Sequence, residues 1–294
     1  MHAVVRIADR GRWPALIEAT DVIEDMLNKV DVREWWELGV LILDHHGPLE
    51  DLPSATKQAH EIAKTFPDPP LVHTVLIEPP VDPDQVTAAV LLKRGPVLPE
   101  KEVNVLDKLD RYGKWAVMED LKNTEYVPAI INHKGYGWAS DRKQLEKKFL
   151  SAMEHVEKVI EDEEYRRKKC DEFWRRFRRN LENVDAEIIH EGEINGVKWC
   201  IAKTTKPDAF TYLYMQGYDL VVLYSPTKGR ITIGTKRNDI DLKKVFQVLN
   251  KKHREGWGGR KNIGGSPKGL FIDEKEFEEL AETIKEAITA TLSE

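Results

Sequence analysis

Cysteine is almost absent: Cys170 and Cys200 are the two in 294 residues, which excludes a disulfide framework and a cysteine-based zinc cluster. Long apolar runs are missing too. No stretch reaches the roughly 18 residues that a membrane span needs, and the start carries no signal-type apolar core. A soluble, cytoplasmic chain with no membrane partner is therefore expected. Positive charge is in short supply, with 45 Lys and Arg against 51 Asp and Glu and a net charge of −6. That balance excludes a general coat for nucleic acid, while a local basic face can still steer a phosphate toward an acidic site. What is present is a 41% apolar fraction, enough to bury a core. The length is compatible with one large or two ordinary domains, and two are expected.

Along the chain, Ala3-Val4-Val5-Arg6-Ile7-Ala8 reads as a strand and Arg10-Gly11 as a turn. Pro14 then opens a helix where its missing N–H costs nothing, continued by Leu16, Ile17, Ala19, Val22, Ile23, Met26 and Leu27 at helical spacing to about Asn28. Residues 38–43 form a second strand, giving a strand-helix-strand unit with parallel, buried strands. Ser54 caps a helix to about Thr65, residues 71–77 form a strand, and residues 86–92 an apolar helix. From Ser140 the texture turns to Lys and Glu. Residues 141–183 read as a helical connector with Leu145, Phe149, Met153, Val156, Val159 and Ile160 on its packing side. Its basic end buries Phe173, Trp174 and Phe177, with contact to a phosphate backbone as the alternative. Strands near residues 188–190, 199–202, 220–224 and 230–235, with a terminal helix from Glu274 to Leu292, make the remainder a mixed α/β module. The expected divisions are 1–140, 141–185 and 186–294.

The densest chemistry is Asp44-His45-His46, which closes the run Leu41-Ile42-Leu43 and precedes Gly47-Pro48. A carboxylate and two imidazoles at a strand end combine hard oxygen with borderline nitrogen, a donor set that suits a divalent transition ion such as manganese better than calcium. Adjacent strand residues point to opposite faces. Asp44 and His46 are therefore expected to share one metal, while His45 turns to a second metal, a phosphate or a supporting carboxylate. A second concentration is Gly258-Gly259-Arg260-Lys261-Asn262-Ile263-Gly264-Gly265-Ser266, in a segment where the six glycines from Gly256 through Gly269 let backbone N–H groups approach an anion. Trp257 either stacks on a base or caps this loop.

The two motifs together resemble the DHH phosphoesterase superfamily, which includes RecJ-like nucleases, oligoribonucleases, cyclic-dinucleotide phosphodiesterases and pyrophosphatases. Its members join a DHH metal domain to a smaller DHHA1 domain with a glycine-rich phosphate loop. Gly258 and Gly259 match that loop's glycines, Arg260 stands where its histidine usually stands, and Ile263-Gly264-Gly265 fills its small-residue end. The resemblance implies an α/β fold, with a parallel-sheet domain joined by a helical connector to a smaller mixed α/β domain. Asp9, in Ile7-Ala8-Asp9-Arg10-Gly11, resembles the metal-bridging Asp before the DHH strand, and Asp31 is the competing position. The family's first motif, His-x-x-x-Asp-x-Asp, does not precede Asp9. Glu78, Asp82 and Asp84 reproduce its spacing with Glu in the His place, which implies a local permutation; the alternative is a proline-rich loop with Asp84 as a helix N-cap. Asp110 resembles the fourth-motif Asp, with Asp107 one turn away as its alternative.

The function implied is hydrolysis of nucleic-acid phosphodiesters by two-metal-activated water, as an exonuclease or short-oligonucleotide hydrolase. The cofactor would be Mn2+, with Mg2+ or another divalent ion as alternatives. Asp9, Asp44, His45 and His46 are the expected catalytic residues, and Asp9, Asp44, His46, Glu78, Asp82, Asp84 and Asp110 the expected ligands. Gly258, Gly259, Arg260, Gly264 and Gly265 would grip the substrate. The expected partner is an oligonucleotide or other phosphodiester, with a homodimer left open. The alternative is a degenerate scaffold that works with other proteins of nucleic-acid metabolism, a drift that Glu78 and Arg260 would fit.

Overall fold

Three apolar runs, Ala15-Leu16-Ile17, Leu41-Ile42-Leu43 and Val75-Leu76-Ile77, lie side by side as parallel strands, and an acidic residue follows each at once. The computed structural model describes residues 1–27, 39–46, 49, 51–66, 68–267 and 269–293. Its first elements are β1 (Ala3–Arg6), β2 (Trp13–Ile17), α1 (Thr20–Leu27), β3 (Leu41–Leu43), α2 (Ala55–Thr65), β4 (Val72–Ile77), α3 (Pro83–Arg94) and α4 (Glu100–Tyr112). A 3-10 turn (Lys114–Val117), α5 (Met118–Lys122), α6 (Tyr126–Ile130), α7 (Arg142–Glu161) and α8 (Glu163–Glu182) follow. The chain divides into two compact units, residues 1–113 with 117–174, and residues 114–116 with 175–294.

The first sheet runs β1-β4-β2-β3, with β2 parallel to both neighbours and β1 antiparallel to β4. It is therefore mixed rather than the parallel sheet expected, and the parallel partner of β3 is β2, not β1. The helix expected from Pro14 starts only at Thr20. Ala15, Leu16 and Ile17 are buried in succession, as a central strand covered on both faces allows and a one-sided helix does not. Pro14, which lacks an N–H, sits where the pairing of β2 with β4 shifts register. Asn28, Asp31, Gly47 and Pro48 lie outside the described residues.

Val86, Ala88, Ala89, Val90, Leu91 and Leu92 of α3 are fully buried, because α2, α4, α7 and β4 all pack against this helix. The side of α7 carrying Leu145, Phe149, Met153, Val156 and Val159 is buried as its spacing predicts, and α7 also meets α6 and β1. Among the described residues, no helix is long and apolar enough to cross a membrane.

The second unit holds β5 (Glu187–Ile194), β6 (Val197–Lys203), α9 (Ala209–Met215), β7 (Leu220–Ser225), β8 (Arg230–Thr235), α10 (Leu242–Lys252), β9 (Gly258–Gly259), β10 (Ile263–Gly265) and α11 (Glu274–Leu292). Its mixed sheet runs β5-β6-β7-β8-β10-β9. Alternation sorts the two faces: Trp199, Ile201, Val222 and Ile233 join α10 and α11, while Cys200, Ala202 and Val221 meet Leu213 and Tyr214 of α9.

The glycine-rich segment is a β-hairpin. Gly258 and Gly259 pair with Gly265 and Gly264, and the Arg260 N–H donates to the Ile263 carbonyl at 2.8 Å. Packing explains three of these glycines. A Cβ on Gly259 would meet the Gly264 Cα at 2.3 Å, one on Gly264 the Gly258 oxygen at 2.3 Å, and one on Gly265 the Ile231 oxygen at 2.2 Å; a Cβ on Gly258 meets nothing within 4 Å. Trp257 is buried rather than free to stack, with its indole N–H donating to His253 Nδ1 at 3.2 Å and its backbone N–H to Asn250 Oδ1 at 2.9 Å. Gly265→Ala should therefore cost about 1–3 kcal/mol of stability through overpacking, whereas Gly258→Ala should change it by less than about 0.5 kcal/mol. Denaturant unfolding of the two variants checks this, and equal costs would contradict the packing account.

Candidate metal centre

Register builds the site. Ile17 is opposite both Leu43 and Ile77, so the next residues, Glu18, Asp44 and Glu78, leave the carboxyl edge of three parallel strands together. Open α/β sheets collect their sites at this edge. The Glu18 N–H donates to the Leu43 carbonyl at 2.9 Å, and Gln85 Nε2 donates to the Ile17 and Glu78 carbonyls at 3.2 and 3.1 Å. Glu18 has φ +49°, a left-handed conformation uncommon for a side chain of this kind. Strain of that sort gathers where a side chain must be aimed.

Glu18, His45, Asp84 and Asp110 converge, each offering a ligand atom within 4.8 Å of the others'. His45 Nε2 lies 3.2 Å from Glu18, 2.8 Å from Asp110 and 3.9 Å from Asp84. A second group, Glu18, His45 and His46, meets the same criterion and shares two members with the first. Asp110 comes from the last turn of α4, Asp84 from the first turn of α3.

The other carboxylates orient these donors. Asp44 is 1% exposed. Its Oδ1 accepts from the His45 and His46 N–H groups at 2.7 and 2.9 Å and from His46 Nδ1 at 2.6 Å, while its Oδ2 accepts from Thr20 at 3.0 Å. This contact places the His46 proton on Nδ1 and leaves Nε2 as the open nitrogen. Asp84 accepts from the Ala55 and Thr56 N–H groups at 2.7 and 3.0 Å, and Asp107 from Ser54 at 2.8 Å. Both carboxylates therefore sit at the N-terminus of α2, where unpaired N–H groups and the helix dipole favour negative charge. Asp82, rather than Asp84, caps α3, accepting from the Gln85 N–H at 2.9 Å.

Several expected positions lie apart from the donor groups. Asp9, expected as a ligand, has a fully exposed side chain paired with Arg6 at 3.7 Å, because the strand before it is the antiparallel edge β1, which has no carboxyl end at the site. Glu78 accepts from the Asp21 N–H at 3.1 Å and so serves the start of α1 rather than the donor groups. Of the alternatives Asp107 and Asp110, Asp110 joins the cluster. Glu18 is the residue that sequence reading missed. Its signal was Ala15-Leu16-Ile17-Glu18, the same apolar run and acid that deliver Asp44 and Glu78.

Crowding and burial perturb these groups. Burial, and then the charges of Asp82, Asp84, Asp110 and Asp44, push the Glu18 carboxyl well above the usual range. Burial, then Asp110 and Asp84, lift Asp82 to about 7. Asp84 is raised by burial and then by Asp110. For Asp44 burial also raises the pKa, but the hydrogen bonds from His46 and Thr20 outweigh it and hold the carboxyl low. Several buried acids around one imidazole are unfavourable on their own. The mixed oxygen and nitrogen donors fit a divalent cation, which would relieve that repulsion.

No family model matches the chain, and no curated protein matches it. Among solved structures it is similar to the pGpG-specific phosphodiesterase PggH from Vibrio cholerae, at 10% identity over 96% of this chain and 100% of that one, TM-score 0.43. It is also similar to RecJ in complex with Mn2+ from Thermus thermophilus, at 16% identity over 88% of this chain and 42% of that one, TM-score 0.35. A third likeness is an uncharacterized protein from Helicobacter pylori G27, at 12% identity over 97% of this chain and 84% of that one, TM-score 0.24. These likenesses are distant, so function is read from the donor geometry.

The raised carboxyls have a thermal consequence. With Asp82 near 7 when folded and about 4 when unfolded, the metal-free folded chain binds more protons than the unfolded chain between these values. Its stability falls as pH rises through that window. Without divalent ion, Tm should drop by on the order of 5 °C between pH 5 and pH 8, and saturating Mn2+ should remove most of the drop. Scanning calorimetry with and without Mn2+ checks the sign; a stabilisation by Mn2+ that shrinks with rising pH would contradict it.

Proposed function

We propose that the chain is a metal-dependent phosphodiesterase that hydrolyses nucleic-acid phosphodiesters, acting on short oligonucleotides or chain ends. The observation that carries this reading is the convergence of Glu18, His45, Asp84 and Asp110, from four separate segments, on one point. Structure alone gives no reason for it, since buried acids around an imidazole gain less than apolar packing would. Glu18, His45, Asp84 and Asp110 would hold a divalent ion, with His46 beside them on the Glu18 side, Mn2+ being preferred and Mg2+ an alternative. A divalent ion there would supply positive charge for the phosphodiester oxygens and would acidify water at neutral pH.

The chain's own groups supply orientation. Asp44 fixes the His46 ring, the N-terminus of α2 fixes Asp84, and Gln85 ties the β2 and β4 ends, so the donors need little rearrangement at the moment of reaction. Hydrolysis adds water across one P–O ester bond and leaves a phosphomonoester and a hydroxyl. Asp82 belongs to neither donor group and serves by capping the helix that presents Asp84. In the second unit, Arg260, with the Gly258, Gly259, Gly264 and Gly265 hairpin backbone, is assigned to substrate phosphate. Arg260 is half-buried as a residue, and a guanidinium can form two charge-assisted hydrogen bonds to a phosphate. The scaffold alternative would need a depleted donor set, and Glu18 restores the set that the loss of Asp9 would break.

Glu18→Gln and Asp84→Asn should each lower kcat/KM for a dinucleotide in Mn2+ by about 100-fold or more, beyond the loss typical of residues that merely support ligands. The metal-free Tm of Glu18→Gln at pH 8 should not fall, because the change removes a crowded charge. Near-wild-type turnover in a folded variant would contradict the assignment. Arg260→Ala should raise KM for oligonucleotides about 10-fold and leave Mn2+ affinity unchanged, measured by steady-state kinetics beside metal titration. Unaltered kinetics would remove Arg260 from the substrate site.

A further inference from the structure

Trp138 is 69% exposed, which is costly for a side chain that buries so much apolar surface when it can. Among the described tryptophans it is the exception. Trp13 packs on Phe66, Trp115 on Tyr214 and Trp174 on Phe173, with ring centroids 5.3, 5.5 and 5.2 Å apart, and Trp199 and Trp257 are 4% and 3% exposed. The Trp138 indole meets no other described ring.

Its backbone is nonetheless tied down on both sides. On one side, Gly137 exchanges both hydrogen bonds with Val81, N–H to carbonyl at 2.7 Å and carbonyl to N–H at 3.2 Å. On the other, Ser140 donates to Gln144 Oε1 at 2.5 Å and Asp141 caps α7 by accepting from the Gln144 N–H at 2.8 Å. Gly137 has φ +113°, a conformation that strains any other residue. An indole held out at a fixed place differs from one waving on a loop.

The place matters, because Val81 lies between Glu78 and Asp84 on the segment that leaves the strand edge for the donor cluster. A hydrogen-bonded pair puts the Val81 and Gly137 Cα atoms about 5.5 Å apart, and one residue on either side adds about 3.8 Å each. The Trp138 Cα is therefore within about 13 Å of the Asp82 Cα, a distance that one nucleotide and the two side chains can bridge.

We infer that Trp138 is the platform on which the base beside the scissile phosphate stacks; this rests on the phosphodiesterase reading for the identity of that phosphate. The occupant is a nucleobase because a flat π surface beside a phosphate-directed cation site matches a base joined to its own phosphate. Stacking accepts any base. Trp138 is thus a positioning residue, separate from the donors, and gives affinity for short single strands without sequence preference.

The test uses the full chain with Mn2+ and two non-hydrolysable, methylene-bridged dinucleotides, one carrying both bases and one lacking a base. Trp138→Ala should weaken binding of the first about 5- to 100-fold and of the second less than about 2-fold, while Trp138→Phe keeps most of the difference. Equal loss for both ligands, no loss for either, or no preference of the wild type for the base-bearing ligand would overturn the inference. Turnover of the ordinary dinucleotide by the wild-type chain tests the underlying reading separately. Absent turnover with the base-dependent loss intact would overturn hydrolysis and retain Trp138 as a base-binding residue, whereas normal turnover with no Trp138 effect would do the reverse.

Discussion

The strand side of the acidic centre follows from one register: Ile17 level with Leu43 on one side and with Ile77 on the other. Because the strands are parallel and end together, the residues that come next cannot avoid one another. All three are acids. Slipping β2 by one residue would turn Ile17 to the other face and carry Glu18 with it, so the pairing that stabilises the sheet also positions Glu18.

The acids crowded at this edge divide their work. Glu78, Asp82 and Asp107 satisfy backbone N–H groups at the starts of α1, α3 and α2, where negative charge is welcome. Asp44 locks the backbone and ring of the residues after it. Asp84 does both, accepting from the start of α2 while turning toward His45. Glu18, raised by burial and by the acids around it, lies against His45, where a cation would relieve the crowding. The left-handed Glu18 belongs to this economy, since a relaxed strand end would direct its carboxyl elsewhere.

Much of this was legible in the sequence. Asp44-His45-His46 at a strand end, the Ser54 cap, the buried side of α7 and the bounds of α11 follow from local pattern, while Asp84 and Asp110 were singled out by the family resemblance alone. What escaped depended on pairing. Pro14 and the apolar residues after it satisfy a helical spacing as well as a strand, and neighbours on both sides decide in favour of β2; with the strand went Glu18. Asp9 attracted attention by having a strand before it and Gly11 after it, but strand direction is not written in a six-residue apolar run. The glycines from Gly258 to Gly265 read as a loop for anions, whereas close backbone approach, within the hairpin for Gly259 and Gly264 and against β8 for Gly265, accounts for three of them. Trp138 gave no periodic signal, and its interest lies only in the bridge beside it.

The central claim is that the acids and imidazole at the strand edge exist to hold divalent cations. Anomalous diffraction at the manganese edge, from crystals of the full chain grown with Mn2+, tests it most directly. The account predicts at least one strong peak in contact with Glu18, His45, Asp84 and Asp110. Density with no peak there, and with those side chains closed on one another through shared protons, would contradict it.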